Sequence, residues 1–201
     1  MLNVLRLALL AVCLSACQQL AQKPSFSSQP SSLSQQHQQA IQVLNNFAIE
    51  GRMAVQYNGR GYSGQMRWQR QSENQQISLM TPLGNTLADI TEDKQGVTLI
   101  TSDGKAYREH DASMLTERII GWPIPISDLH DWVLGRPSEG NVENAQWDEQ
   151  GRLQTFQQGD WKVEYAAYQD VEQYSLPTKV TLRHEKIYMR LVVDNWKLSP
   201  P

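Results

Sequence analysis

From Phe47 onward the chain alternates: Phe47, Ile49, Met53, Val55 and Tyr57 are separated by Glu50, Arg52 and Gln56. A period of two puts the apolar side chains on one face of an extended strand and the charged ones on the other, a separation that helical geometry does not give. Asn58-Gly59 is a two-residue hairpin turn in which both residues tolerate positive φ. On the return, Tyr62, Met66 and Trp68 alternate with Ser63, Gln65, Arg67 and Gln69. Short strands follow at Gln76 to Met80, Thr86 to Thr91, Val97 to Thr101 and Lys105 to Glu109, broken by Pro82-Leu83-Gly84, Lys94-Gln95-Gly96 and Asp103-Gly104. Strands resume at Ala145 to Trp147, Leu153 to Gln157, Trp161 to Tyr168, Lys179 to Arg183 and Ile187 to Val193. The expected fold class is therefore mainly β and antiparallel. A sheet of about ten twisted strands curls, and its concave face must then be filled.

Helical spacing appears in only a few places. Ser34 is placed to cap a helix with Ile41, Leu44 and Ala48 on one face. Asp111 caps a second, ending at Gly121, and Ser127 caps a third that aligns Leu129, Trp132 and Val133 before Gly135. The last two interrupt the strand series.

The N-terminus reads differently. Arg6 precedes an apolar run from Leu7 to Leu14, followed by Ser15-Ala16-Cys17. That is the layout of a secretion signal, and its apolar run falls far short of the ~20 residues of a membrane-spanning helix. Leu14-Ser15-Ala16-Cys17 has the form of a bacterial lipobox, in which cleavage before the cysteine is coupled to S-diacylglycerol attachment and N-acylation. Each buried CH₂ adds about 0.8 kcal/mol, so several chains on Cys17 would anchor the protein firmly. Gln18, where an aspartate usually marks inner-membrane retention, favours onward sorting to the outer membrane. The expected division is a signal at 1–16, a lipidated N-terminus and Ser/Gln/Pro-rich flexible tether at 17–33, and one domain at 34–201.

Cys13 lies inside the signal, so the mature chain has no thiol left to pair. Loss of the signal removes Arg6 and no acid, taking the formal charge from -3 to about -4, too mild for a nucleic-acid partner. His37, His110, His130 and His184 lack metal-ligand spacing. Gly59-x-Gly61-x-x-Gly64 matches a dinucleotide fingerprint as a string, but it opens an alternating strand rather than a helix. Ser63 stands on the polar phase of that strand with no nucleophile-elbow context. No catalytic residue and no metal site is expected, and the chain reads as a non-enzyme.

Two segments stand out. Thr81-Pro82-Leu83-Gly84 has the residues of a type I turn, which puts Leu83 at a hairpin tip, unless it folds back under the sheet. Exposed apolar tips rimmed by polar residues mark membrane or partner contacts. Gly121-Trp122-Pro123-Ile124-Pro125-Ile126 is an apolar link whose prolines keep it out of helix. It reads as core packing and as a lid or plug over the concave face. Met53, Met66, Met80, Met114 and Met189, with Trp68, Trp122, Trp132 and Trp161, give an adaptable apolar inventory that a plain core could equally use.

Taken together, the lipobox, the Gly51-Arg52 hairpin, Pro82-Leu83-Gly84, the Gly121-x-Pro123-Ile124-Pro125 link running into Trp132-x-x-Gly135-x-Pro137, and the closing Asp194-Asn195-Trp196 resemble the LolB family. The resemblance covers nearly all of the mature chain, and the link into Trp132-Val133-Leu134-Gly135 is its most specific part. It implies an unclosed antiparallel β-barrel of about ten or eleven strands, with short helices covering an apolar cavity. The implied activity is acceptance of lipoproteins from a LolA-type periplasmic carrier and their insertion into the outer membrane without ATP. By matching position, Leu83 would be the membrane-insertion residue and Cys17 the lipidated one. Met53, Val55, Met66, Trp68, Trp122, Ile124, Trp132 and Met189 are assigned to the acyl-chain cavity from strand phase and helix face. No cofactor is implied beyond the acyl groups on Cys17. The implied setting is a monomer facing the periplasm, whose partners are the carrier, cargo lipoproteins and the membrane. Two other readings stay open: an envelope scaffold whose apolar face is only core, and an enzyme acting on lipid or glycan.

Overall fold

In a computed structural model the described residues are 25–199. The signal, Cys17 and Gln18, together with the first part of the expected tether, lie outside them. Helix α1 (Ser32–Gln42) leads into strands β1 (Phe47–Tyr57), β2 (Arg60–Gln71), β3 (Asn74–Met80), β4 (Thr86–Asp93), β5 (Gly96–Thr101) and β6 (Ala106–Glu109). Helices α2 (Ala112–Ile120) and α3 (Ile126–Leu134) follow, then β7 (Val142–Trp147), β8 (Leu153–Gln158), β9 (Trp161–Val171), β10 (Tyr174–Arg183) and β11 (Ile187–Leu198). The strands form one 11-stranded antiparallel sheet in the order β6-β5-β4-β3-β2-β1-β11-β10-β9-β8-β7. Its edges, β6 and β7, are not paired with each other. The result is the unclosed barrel that the resemblance implied.

This topology decides where the helices go. Among the described residues, the segment that joins the two free edges is the one from β6 to β7, and it carries both α2 and α3. α2 packs on β5 and β6, α3 on β10, and the two helices touch each other. They cross the gap because the connection must.

Glycines let the sheet curve. A Cβ on Gly64 would lie 2.1 Å from the Met80 carbonyl oxygen, and one on Gly51 would lie 2.2 Å from that of Val192. Both sit beside register shifts, at Leu79/Met80 and Glu50/Gly51, where the strands approach closely and bend. The second shift explains why the alternation of the last strand fails at Asp194: Gly51 faces Val193 and Glu50 faces Asn195, leaving Asp194 as the extra residue. Arg52 then reaches Asp194 through Nε at 3.0 Å and Nη2 at 2.7 Å.

Local details differ from expectation. α1 starts at Ser32, with the Ser31 hydroxyl accepting from the Ser34 amide; Ser34 is buried one turn inside and donates to the Ser31 carbonyl. Ala48 belongs to β1, not to the helix. α3 begins at Ile126 after Pro125, which offers no side-chain cap, so Ser127 is not the cap. Asn58 (φ 49°) and Gly59 (φ 75°) take the left-handed turn conformation their types favour. Ser27, placed in the tether by composition, exchanges backbone hydrogen bonds of 3.0 and 2.9 Å with Trp147 on the β7 edge.

The core of the described residues is one cluster running from Ile41 to Trp196 in sequence. No described residue N-terminal to Ile41 belongs to it.

Candidate functional site

The concave face of the sheet is built from the apolar strand phase. Met53 and Val55 on β1 stand opposite Gly64 and Tyr62 on β2, and Val55 also faces Met189 on β11. Met66 and Trp68 continue the row along β2 toward Leu79 and Ile77. Trp122, Ile124 and Trp132 come from the α2–α3 segment on the other side. All eight residues assigned to a cavity from the sequence are buried and belong to the same cluster. The interior is thus apolar on both walls, and the space between them is occupied by the segment's own Ile124, Ile126, Leu129 and Val133, each at most 2% exposed.

The α2–α3 link is fastened by hydrogen bonds that the sequence reading did not find. Pro123 and Pro125 lack amide hydrogens, and the intervening Ile124 N–H donates to the Thr116 hydroxyl at 2.9 Å. Ser113 Oγ donates to the Ile124 carbonyl at 3.1 Å. Ile124 therefore rides on α2 as one unit. The Tyr57 hydroxyl at the end of β1 donates to Glu117 on the outer face of α2, which raises the tyrosine above its usual range.

α3 is tied down by polar groups. Trp132 Nε1 donates to Gln158 Oε1 at 3.0 Å, and the Tyr165 hydroxyl donates to the Trp132 carbonyl at 2.8 Å. Burial pushes the Tyr165 hydroxyl well up, so it stays a donor. Arg136 Nε donates to Asp131 at 2.6 Å and its Nη1 donates to the Ile41 carbonyl at 2.6 Å, joining α3 to the end of α1. Burial opposes the charge on Asp131, yet the His130 and Arg136 contacts win and hold its carboxyl below the ordinary value.

Leu83 does not fold back. It is 90% exposed, the highest value among the exposed large apolar residues described. The turn that presents it is closed by Gly84 N–H to the Thr81 carbonyl (2.9 Å) and Thr81 N–H to the Asn85 carbonyl (2.8 Å). Gln65 Nε2 donates to the Pro82 carbonyl at 3.3 Å, bracing the loop from β2. The loop projects from the end of the sheet that also carries the Asn58-Gly59 turn. The described chain begins at the other end, where Ser25 donates to Glu149 beside the β7–β8 turn.

The histidines remain apart. His37 contacts the Ser175 carbonyl at 2.9 Å and His130 contacts Asp131 at 3.2 Å. Among the described residues no group of three or more His, Cys, Asp or Glu is placed to hold a metal, and no helix is long and apolar enough to cross a membrane.

The sequence profile of the family described as "Outer membrane lipoprotein LolB" matches residues 45–196. A relative named "Outer-membrane lipoprotein LolB" from Nitrosococcus oceani is 32% identical over 189 residues, 94% of each chain. Two crystal structures share the fold at 10% sequence identity. One is a LolA superfamily protein from Nitrosomonas europaea (TM-score 0.52, 85% of this chain and 93% of that one). The other is a putative outer membrane lipoprotein-sorting protein domain from Vibrio parahaemolyticus (TM-score 0.55, 84% and 91%).

Proposed function

This chain belongs to the LolB family, and from that premise we propose that it is an outer-membrane lipoprotein that receives other lipoproteins and delivers them to that membrane. Cys17 carries the acyl anchor, and the domain faces the periplasm. A LolA-type carrier hands over the cargo, whose acyl chains enter between the concave sheet and the α2–α3 segment. No covalent step and no nucleotide is needed. Several acyl chains left in water would cost tens of kcal/mol at about 0.8 kcal/mol per CH₂, so cargo passes directly from one apolar interior to another, down a difference in affinity.

The observation that carries this reading is Leu83, a leucine 90% exposed on a braced turn. Leaving it in water has no packing rationale, and burying such a side chain in lipid gains roughly 2 kcal/mol. It therefore enters the membrane and brings the end of the barrel to the surface. The α2–Ile124–α3 segment is the wall that makes room, because strand pairing does not hold it. Its α2 half moves with the link as one piece, since Thr116 and Ser113 fasten Ile124 to α2, while α3 stays tied to β8, β9 and the end of α1.

The test mixes a non-acylated chain beginning at Gln18 with carrier loaded with a labelled lipoprotein, without nucleotide, and follows the label by pull-down. Transfer of the label supports the receptor role. With an active carrier and a folded acceptor, label that stays on the carrier overturns it.

A further inference from the structure

Four tryptophans are buried in the core, and three of them place the indole N–H on a fixed acceptor. Trp68 donates to Gln75 Oε1 at 2.9 Å, Trp132 to Gln158 Oε1 at 3.0 Å, and Trp196 to the Pro177 carbonyl at 3.1 Å. Trp122 is 7% exposed, and its Nε1 is buried with no partner. The ring packed against it is Tyr62, with centroids 4.5 Å apart, and the Tyr62 hydroxyl is likewise buried with no partner. Burial pushes that hydroxyl above its usual range, so it keeps its proton.

A buried donor left unpaired forfeits the hydrogen bonds it made to water, and native structures hold few of them. Here two lie together, one on each wall of the apolar interior. Tyr62 comes from the sheet, opposite Val55, and Trp122 from the covering link. A plain core would place a phenylalanine at either position. Two unpaired donors in a greasy wall fit a ligand that is apolar along its length and carries carbonyl oxygens at one end.

We propose that Trp122 Nε1–H and the Tyr62 hydroxyl donate to the ester and amide carbonyl oxygens at the head of bound acyl chains. The proposal rests on the acyl-binding reading above and adds the polar subsite to it. Its position agrees with delivery. Tyr62 lies three residues before Gln65, the residue that braces the Leu83 loop, so the head of the lipid is held at the end of the barrel that reaches the membrane. The alkyl tails then run along Met53 and Val55. Because Trp122 sits on the movable link, swinging that link away withdraws one donor and loosens the head for release.

The experiment compares a short-chain diester phosphatidylcholine with its diether analogue, which has the same chains and no carbonyls. Binding is measured by calorimetry on the non-acylated chain from Gln18, which keeps every described residue of the core. Expected is a diester affinity about 5–10-fold above that of the diether, the worth of a buried hydrogen bond. Tyr62→Phe should remove most of that preference while leaving diether binding unchanged, with no fall in melting temperature because an orphan hydroxyl is lost. Replacing Trp122 by 3-benzothienylalanine, which keeps the fused rings and lacks the N–H, should act the same way. Equal affinity of wild type for both lipids, or equal losses for both on either replacement, would overturn the subsite alone. Absence of binding by either lipid would overturn the acyl-cavity reading and the subsite with it.

Discussion

The Thr116 hydroxyl, wholly buried, accepts the Ile124 amide proton at 2.9 Å and donates its own to the Ala112 carbonyl at 2.8 Å. One side chain thus satisfies the single amide that the Pro123-Ile124-Pro125 link must bury, and it does so from the helix the link leaves. Thr116→Val keeps the shape and removes the acceptor. The expected cost is about 1–3 kcal/mol for an unpaired buried N–H, read as a lowered urea midpoint with an unchanged slope. Thr116→Ser should recover most of it. A valine variant as stable as wild type would show that the link is held by packing alone.

Curvature at Gly64 gives a second expectation. Gly64→Ala places a methyl 2.1 Å from the Met80 carbonyl oxygen, on backbone that cannot rotate away, and should destabilise by more than about 2 kcal/mol. Gly61→Ala, three residues earlier with open space around it, should change stability by no more than about 0.5 kcal/mol. Thermal unfolding of the pair separates a bend that needs glycine from a strand that merely contains one.

Leu83→Glu should leave the fold untouched, because the side chain makes no packing contribution at 90% exposure. Melting temperature and acceptance of cargo from the carrier should match wild type. Incorporation of that cargo into vesicles should fall at least about tenfold, since the variant forgoes roughly 2 kcal/mol of lipid burial and adds a charge. Wild-type incorporation by the glutamate variant would remove Leu83 from the delivery step.

Acid should loosen α3 through Asp131. Its carboxyl is held below the ordinary value of 3.8 because burial, which alone would raise it, is outweighed by His130 and Arg136. A depressed carboxylate contributes stability that is complete above the unfolded value and is lost as pH falls through the folded one. Asp131→Asn should therefore be less stable than wild type by about 1–3 kcal/mol at neutral pH, with the gap closing below pH about 4. Urea titrations of both proteins across pH 2 to 7 test this. A gap independent of pH would assign the loss to the hydrogen bonds and not to the charge.

Much of the architecture is legible along the chain. The period-two runs at Phe47–Tyr57 and Ile187–Val193 state which side chains point inward, and Asn58-Gly59, Asp111 and Gly121 mark turns and helix ends through local backbone preferences. Local signals are weaker at two element boundaries. The strand expected from Lys179 begins at Tyr174, ahead of a register shift beside Pro177, and the cap expected at Ser34 is supplied by Ser31.

What the sequence determined by itself is the inward face of each element, because side-chain phase depends only on neighbours a few residues away. Tertiary structure alone decided the partners. β1 pairs with β11, some 140 residues distant, only because the sheet curls. The α2–α3 segment covers the gap only because it joins the two free edges. The same logic separates Trp122 from Trp68: both read as buried aromatic residues, but an acceptor for the indole N–H is supplied by whichever strand the fold brings alongside. For Trp68 that is Gln75 on β3, and for Trp122 the described residues supply none.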